Sequence, residues 1–248
     1  MAGEKKKREG GRTCPITIGI SLIVGVVALM VILGWVVQSR TLVQLSPGFA
    51  PMQTTTAIGF LLFAGALFVL STEPKWNHWH WERLLSAGLL AWGILNLLQH
   101  GMGWNLGIDT LLGEPFVTDN SPAPGRMSLL TSLCFTLGGI SLILCIIPSK
   151  SPRAEVAIVS LSCFLAGLSG SSLFCYTVDI PRVIWLGARL SEMAIHTAAG
   201  FFLLSIAIIM QRFRCGRALY GEAFQWMWAP AFFGTIFAIG SIFLGFHA

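Results

Sequence analysis

His100, His196 and His247 stand near one end of three separate apolar stretches, level with Met102, Met127, Met193 and Cys175. Imidazole and thioether together suit copper, and as an axial pair they hold haem. A redox membrane protein built on those histidines is one reading. No local ligand motif joins them, and a histidine near a helix end has a simpler use, bonding a loop carbonyl. The histidines of "HWHW", residues 78–81, sit among tryptophans, a mark of the membrane interface rather than of a metal pair. The six cysteines are scattered without a C-x-x-C pair, which supports neither a disulfide framework nor a zinc site. No nucleophile elbow, zinc-protease helix, P-loop or deaminase signature occurs, so no enzyme is expected.

A second group is charged. Asp109, Arg126, Asp179, Arg182, Arg189 and Glu192 form a polar collar around the ends of the apolar stretches. Glu192 suits the positive end of a helix, whereas Arg126 at such an end is unfavourable and calls for a partner. Asp109 is the candidate, in a bidentate pair that pins "LGIDTLL" over the mouth of a bundle. Alternatively, the arginines bind an anionic ligand or a lipid headgroup.

Arg126 also introduces a repeat. Met52, Thr56 and Phe60, then Met127, Thr131 and Phe135, then Met193, Thr197 and Phe201 each follow a spacing of four, which places the three side chains on one helix face. A threonine hydroxyl there bonds a carbonyl one turn back or a neighbouring helix. The three faces either form a repeated packing surface or converge on a cavity near the outer leaflet.

The elements that carry these residues follow from composition. The chain has 248 residues, 54% hydrophobic and only 11% charged, where a soluble domain carries roughly a quarter charged. Seven apolar runs, 15–38, 52–71, 83–101, 127–147, 154–176, 192–210 and 226–246, are long enough to cross a bilayer. Lipid offers no partner to backbone groups, so each run is expected to be helical. The first exceeds a signal-peptide core and lacks a cleavage site, and reads as a retained helix. The fold expected is all-α: a polytopic bundle of seven helices with three repeated hairpin units. A basic cytoplasmic amino terminus, 1–14, precedes a single transmembrane domain, 15–248. With that orientation twelve of the sixteen Lys and Arg lie inside, and Arg40, Arg126, Arg182 and Arg189 lie outside with the carboxyl terminus. The basic run at the start thus reads as a topology signal, not as a nucleic-acid surface.

The outer loop 102–126 is the longest and has the length of a functional loop. Ser162, Ala166 and Gly170, and again Gly234 and Ala238, form small-residue seams for close helix approach, within the chain or against a partner or second copy. Span interiors are read as free of Lys, Arg, Asp and Glu, which argues against a pump or coupled transporter. The absence of a span lysine excludes a retinal Schiff base.

"GWNLGIDTLL" followed by "PGRMSLLTS" resembles the amino-terminal multi-helix region of bacterial membrane sensors of the histidine-kinase and diguanylate-cyclase type. Gly103, Gly107, Ile108, Asp109, Leu111, Leu112, Pro124, Gly125, Arg126, Met127, Ser128, Thr131 and Ser132 carry the likeness, which extends over about residues 45–210. The resemblance implies a bacterial inner-membrane location and stimulus reception. It implies no kinase or cyclase activity here, since those output modules are not in the chain. The function expected is a sensory or interaction module that receives a stimulus at the outer leaflet and transmits it by helix repacking. The alternatives are an accessory subunit of a larger membrane complex and, behind it, the haem or copper protein. The candidate residues are Asp109, Arg126, Met127, Thr131, Met52, Thr56, Met193, Thr197 and Arg189. No resident cofactor is required by this reading.

Overall fold

The structure, a computed structural model, describes residues 14–46, 49–72, 80–110, 115–117, 125–147, 152–178 and 193–220. The described residues form seven α-helices: α1 Pro15–Val36, α2 Arg40–Val43, α3 Thr54–Thr72, α4 Trp81–Met102, α5 Leu129–Ile146, α6 Pro152–Val178 and α7 Ile195–Tyr220. A 3-10 turn, Ile108–Thr110, lies between α4 and α5, and no strand occurs among the described residues. Six helices, all but the single turn of α2, are long and apolar enough to cross a membrane. The chain is a multi-pass membrane protein. The expected span 226–246 lies outside the described residues.

Local chemistry sets the helix limits. Pro15 opens α1, where a missing N–H costs nothing. Ser128 caps α5 by accepting from the Thr131 amide at 3.1 Å. Gly103 closes α4 in the left-handed region, φ +66°, which only glycine adopts freely. Inside the helices, hydroxyls return to carbonyls one turn back, as at Ser132, Thr136, Ser141 and Ser162, which satisfies these O–H groups away from water.

The long helices follow one another around a closed circuit. α1 packs on α3, α3 on α4, α4 on α5, α5 on α6 and α6 on α7, and α7 returns to α1. α3, α5 and α7 also touch one another across the centre. Burial records the same order: 61% of the α3 span window is buried against 28% for α1 and for α4. At the centre, the Phe60 and Phe135 rings lie 5.2 Å apart, Phe60 and Phe201 4.7 Å, and Phe135 and Phe201 4.7 Å, in edge and tilted contacts. Gly170 of the α6 seam faces Phe202 of α7, so that part of the seam serves packing within the chain. Gly234 and Ala238 lie outside the described residues.

A charged pair ties two helices together. Glu155, in the first turn of α6, is 2% exposed and is held by Arg212 of α7. Nε of Arg212 donates to Oε2 at 2.9 Å, and Nη2 donates to Oε1. Beside this pair, Ser71 of α3 donates to Gln211 of α7 at 2.9 Å. A charged residue at a helix end reads as interfacial in sequence, and its partner stands 57 positions away.

Candidate functional site

The three repeat methionines share one backbone role. Each stands two residues ahead of its helix, and the ladders begin one residue later, where Gln53, Ser128 and Ala194 carbonyls accept from Ala57, Ser132 and Ala198. The methionine carbonyl is therefore left outside the ladder and needs a donor in apolar surroundings. A side chain from the last turn of the preceding long helix supplies it each time. Trp35 Nε1 donates to the Met52 carbonyl, His100 Nε2 to that of Met127 and the Tyr176 hydroxyl to that of Met193, all at 2.8 Å.

Met52, Met127 and Met193 are buried, as are Thr56, Thr131 and Thr197 a turn further in and Phe60, Phe135 and Phe201 beyond them. The threonines thus face protein, and the faces converge on packed rings. Trp35 and Tyr176 were missed in sequence, and with them the shared pattern, because the three donors are different residue types at unequal separations. Their common feature is a side-chain donor in the last turn of the helix before each repeat.

The loop 102–126 is tied down around Asp109. Arg126 Nε donates to Asp109 Oδ2 at 2.9 Å, and Arg126 Nη2 donates to the Trp104 carbonyl at 3.1 Å. The pair forms as expected, but the guanidinium divides between the carboxylate and a backbone carbonyl instead of making a bidentate fork. Gln99 Nε2 of α4 completes the site by donating to the same Oδ2 at 3.1 Å. Gly125, φ +82°, lets the returning strand of the loop cross Asp109; a Cβ there would stand 2.6 Å from the Asp109 carbonyl oxygen. Phe116 packs edge-on against Trp35 at 4.9 Å, and Val117 is buried. Loop residues thereby reach both the α1 and the α4 sides of this end of the bundle.

Three buried oxygens have no donor: Asp109 Oδ1 and Gln99 Oε1 at this site, and Asn96 Oδ1 one turn before Gln99 on α4. The amide assignments follow from chemistry. The Gln99 amide must present its NH2 to a carboxylate, and that of Asn96 must present its NH2 to the Trp92 carbonyl at 2.9 Å. What remains beside Asp109 is acceptor-rich and suits a hydrogen-bond donor.

Of the three histidines, His100 and His196 lie among the described residues. His100 Nε2 is committed as a donor to Met127, the simpler use expected of a helix-end histidine. His196 opens α7 with neither ring nitrogen partnered, and α4 packs chiefly on α3 and α5. His247 and Arg189 lie outside the described residues, as do Asp179, Arg182 and Glu192. Among the described residues, no group of three or more His, Cys, Asp or Glu is placed to hold a metal ion.

No protein-family model matches the chain. No solved structure matches it. Among curated proteins it is similar to "Protein NRT1/ PTR FAMILY 3.1" of Arabidopsis thaliana, 29% identical over 146 residues, which is 56% of this chain. The match spans 22% of the length of that relative.

Proposed function

We propose that this chain is a sensory module of a bacterial inner membrane, with an outer-face reception site at Asp109, Gln99, Asn96 and Arg126. The observation that carries the reading is the loop lock: one carboxylate oxygen is committed to Arg126 and Gln99, while its twin and two amide oxygens lack donors. A donor-bearing ligand would engage those oxygens and compete with Arg126 for the carboxylate. A ligand shifts a conformational equilibrium only through its different affinity for the two states, and a lock that a ligand loosens provides that difference. The loop stands on the α4–α5 pair, and the start of α5 leads through Met127, Thr131 and Phe135 to the rings shared with α3 and α7. Three hairpin units, each opened by one of the Met-Thr-Phe segments and preceded by α1 as an extra helix, are the repeating parts of this reading. Support comes from the three matching bonds to methionine carbonyls and from the likeness to bacterial sensors. Arg189 would join the same outer collar.

The test is whether the outer lock and the inner ends are coupled. Spin labels at Arg83→Cys and Arg153→Cys, both exposed positions, report an inner-end distance in a background without other cysteines. Arg126→Ala is expected to shift that distance distribution while leaving membrane insertion unchanged. An identical distribution would remove the sensory reading and favour a static accessory subunit.

Solute transport is the second reading, favoured by Glu155 and Arg212. Ionisable groups buried in membrane helices commonly mark transport pathways. Proteoliposome uptake that depends on Glu155 would select it.

A further inference from the structure

An apolar cavity of about 110 Å³ opens between α1 and α7 with α3 as its floor. Ile23 and Val27 line it from α1, Phe60 from α3, and His196, Ala199 and Leu203 from α7. Ile23, Val27 and Leu203 are also exposed to lipid, so the mouth opens into the bilayer and not into water. His196 is the polar side chain of the lining, and both of its ring nitrogens are buried without a partner. His100, by contrast, is satisfied by a carbonyl. A neutral imidazole carries one donor and one acceptor, and leaving both unmade in apolar surroundings is unfavourable.

Size and wall chemistry narrow the occupant. An engineered apolar cavity of about 150 Å³ accepts benzene, so this smaller space, with its open mouth, is sized for at most a single six-membered ring. A charged group would lose its hydration against these walls. We propose that the cavity binds the ring of a neutral, lipid-soluble compound bearing a hydrogen-bonding oxygen, a quinone or phenol headgroup, with His196 bonded to that oxygen and the tail left among acyl chains. Both ring nitrogens are closed off as the side chain stands, so binding requires the imidazole to rotate toward the cavity; N–H then donates to a quinone carbonyl, or the bare nitrogen accepts from a phenol. Phe60, one wall of the cavity, is also a member of the central ring cluster, so occupancy bears directly on the contact among α3, α5 and α7. This site lies in the bilayer, apart from the outer loop, and stands whether or not that loop receives a stimulus.

The test uses the full chain in nanodiscs. Saturable binding of decyl-benzoquinone and of 4-decylphenol is measured against empty nanodiscs for the native chain, for His196→Leu and for Ala199→Leu. The leucine at 196 removes the hydrogen-bonding group, and the leucine at 199 fills cavity space while keeping the histidine. At least one of the two compounds is expected to bind saturably, at least tenfold more weakly in either variant, with thermal unfolding showing that both variants are folded. Preference between the two compounds assigns the oxygen as acceptor or donor. Saturable binding of neither compound overturns the proposal. Binding that persists in His196→Leu overturns it too, because the cavity would then be only an apolar void.

Discussion

Phe60, Phe135 and Phe201 meet because the helices that carry them come unusually close, and two glycines permit that approach. Gly200 on α7 receives the Phe60 ring, and Gly59 on α3 receives the Phe135 ring; an added Cβ would stand 2.9 Å and 2.5 Å away respectively. The third position of the pattern is Cys134, also buried. Gly200→Ala is expected to destabilise the protein by about 1–3 kcal/mol, the usual cost of overpacking. Gly25→Ala is the control, since its Cβ would meet only Ala64 Cβ, at 3.9 Å. Unfolding in mixed detergent micelles should separate the two variants. Equal midpoints would mean that the ring cluster yields easily and is not a rigid centre. Spacing alone revealed the Met-Thr-Phe faces, because a four-residue period and burial have the same cause. Which ring meets which glycine depends on helix placement, and no spacing within one helix carries that information.

The α6–α7 pair carries the most buried ion pair described. Glu155→Gln leaves Arg212 facing a neutral amide, and Arg212→Leu leaves a buried carboxylate. Breaking one side of a buried pair costs about 3–5 kcal/mol, whereas replacing both by apolar residues is often neutral or stabilising. Arg212→Leu should therefore lower stability sharply, and Glu155→Leu with Arg212→Leu should restore most of it in the same unfolding assay. A double variant as weak as the single one would show that the arginine acts through other contacts. Element positions were legible from hydropathy, since six of the seven apolar runs coincide with α1 and α3–α7 to within a few residues at their first turns. The Asp109–Arg126 bond was legible too, because an arginine beside a helix start is electrostatically awkward and an acid stood in the same loop. Glu155 was not, for an acid in a first turn already satisfies the helix dipole and signals no need of a distant partner.

At the scale of the whole molecule, orientation rests on the charge asymmetry of the loops. With cysteine-free backgrounds in intact cells, Asn105→Cys is expected to react with an impermeant maleimide and Arg83→Cys only after the cells are opened. The reverse pattern would invert the bundle and turn the Asp109 site toward the cytoplasm. The order of the helices around the circuit was not legible, because apolar faces look alike and carry no address. The circuit also imposes a schedule. The Thr17 hydroxyl reaches the Ala207 carbonyl at 3.3 Å across 190 positions of chain. At a synthesis rate of roughly 5–20 residues per second, α1 waits about 10–40 seconds in the bilayer before its second neighbour exists. During that interval the flank carrying Thr17 and Ser21 faces lipid or the insertion machinery instead of α7. Arrival of α7 ends the wait, so a chain stopped short of α7 displays an open seam for quality control to find.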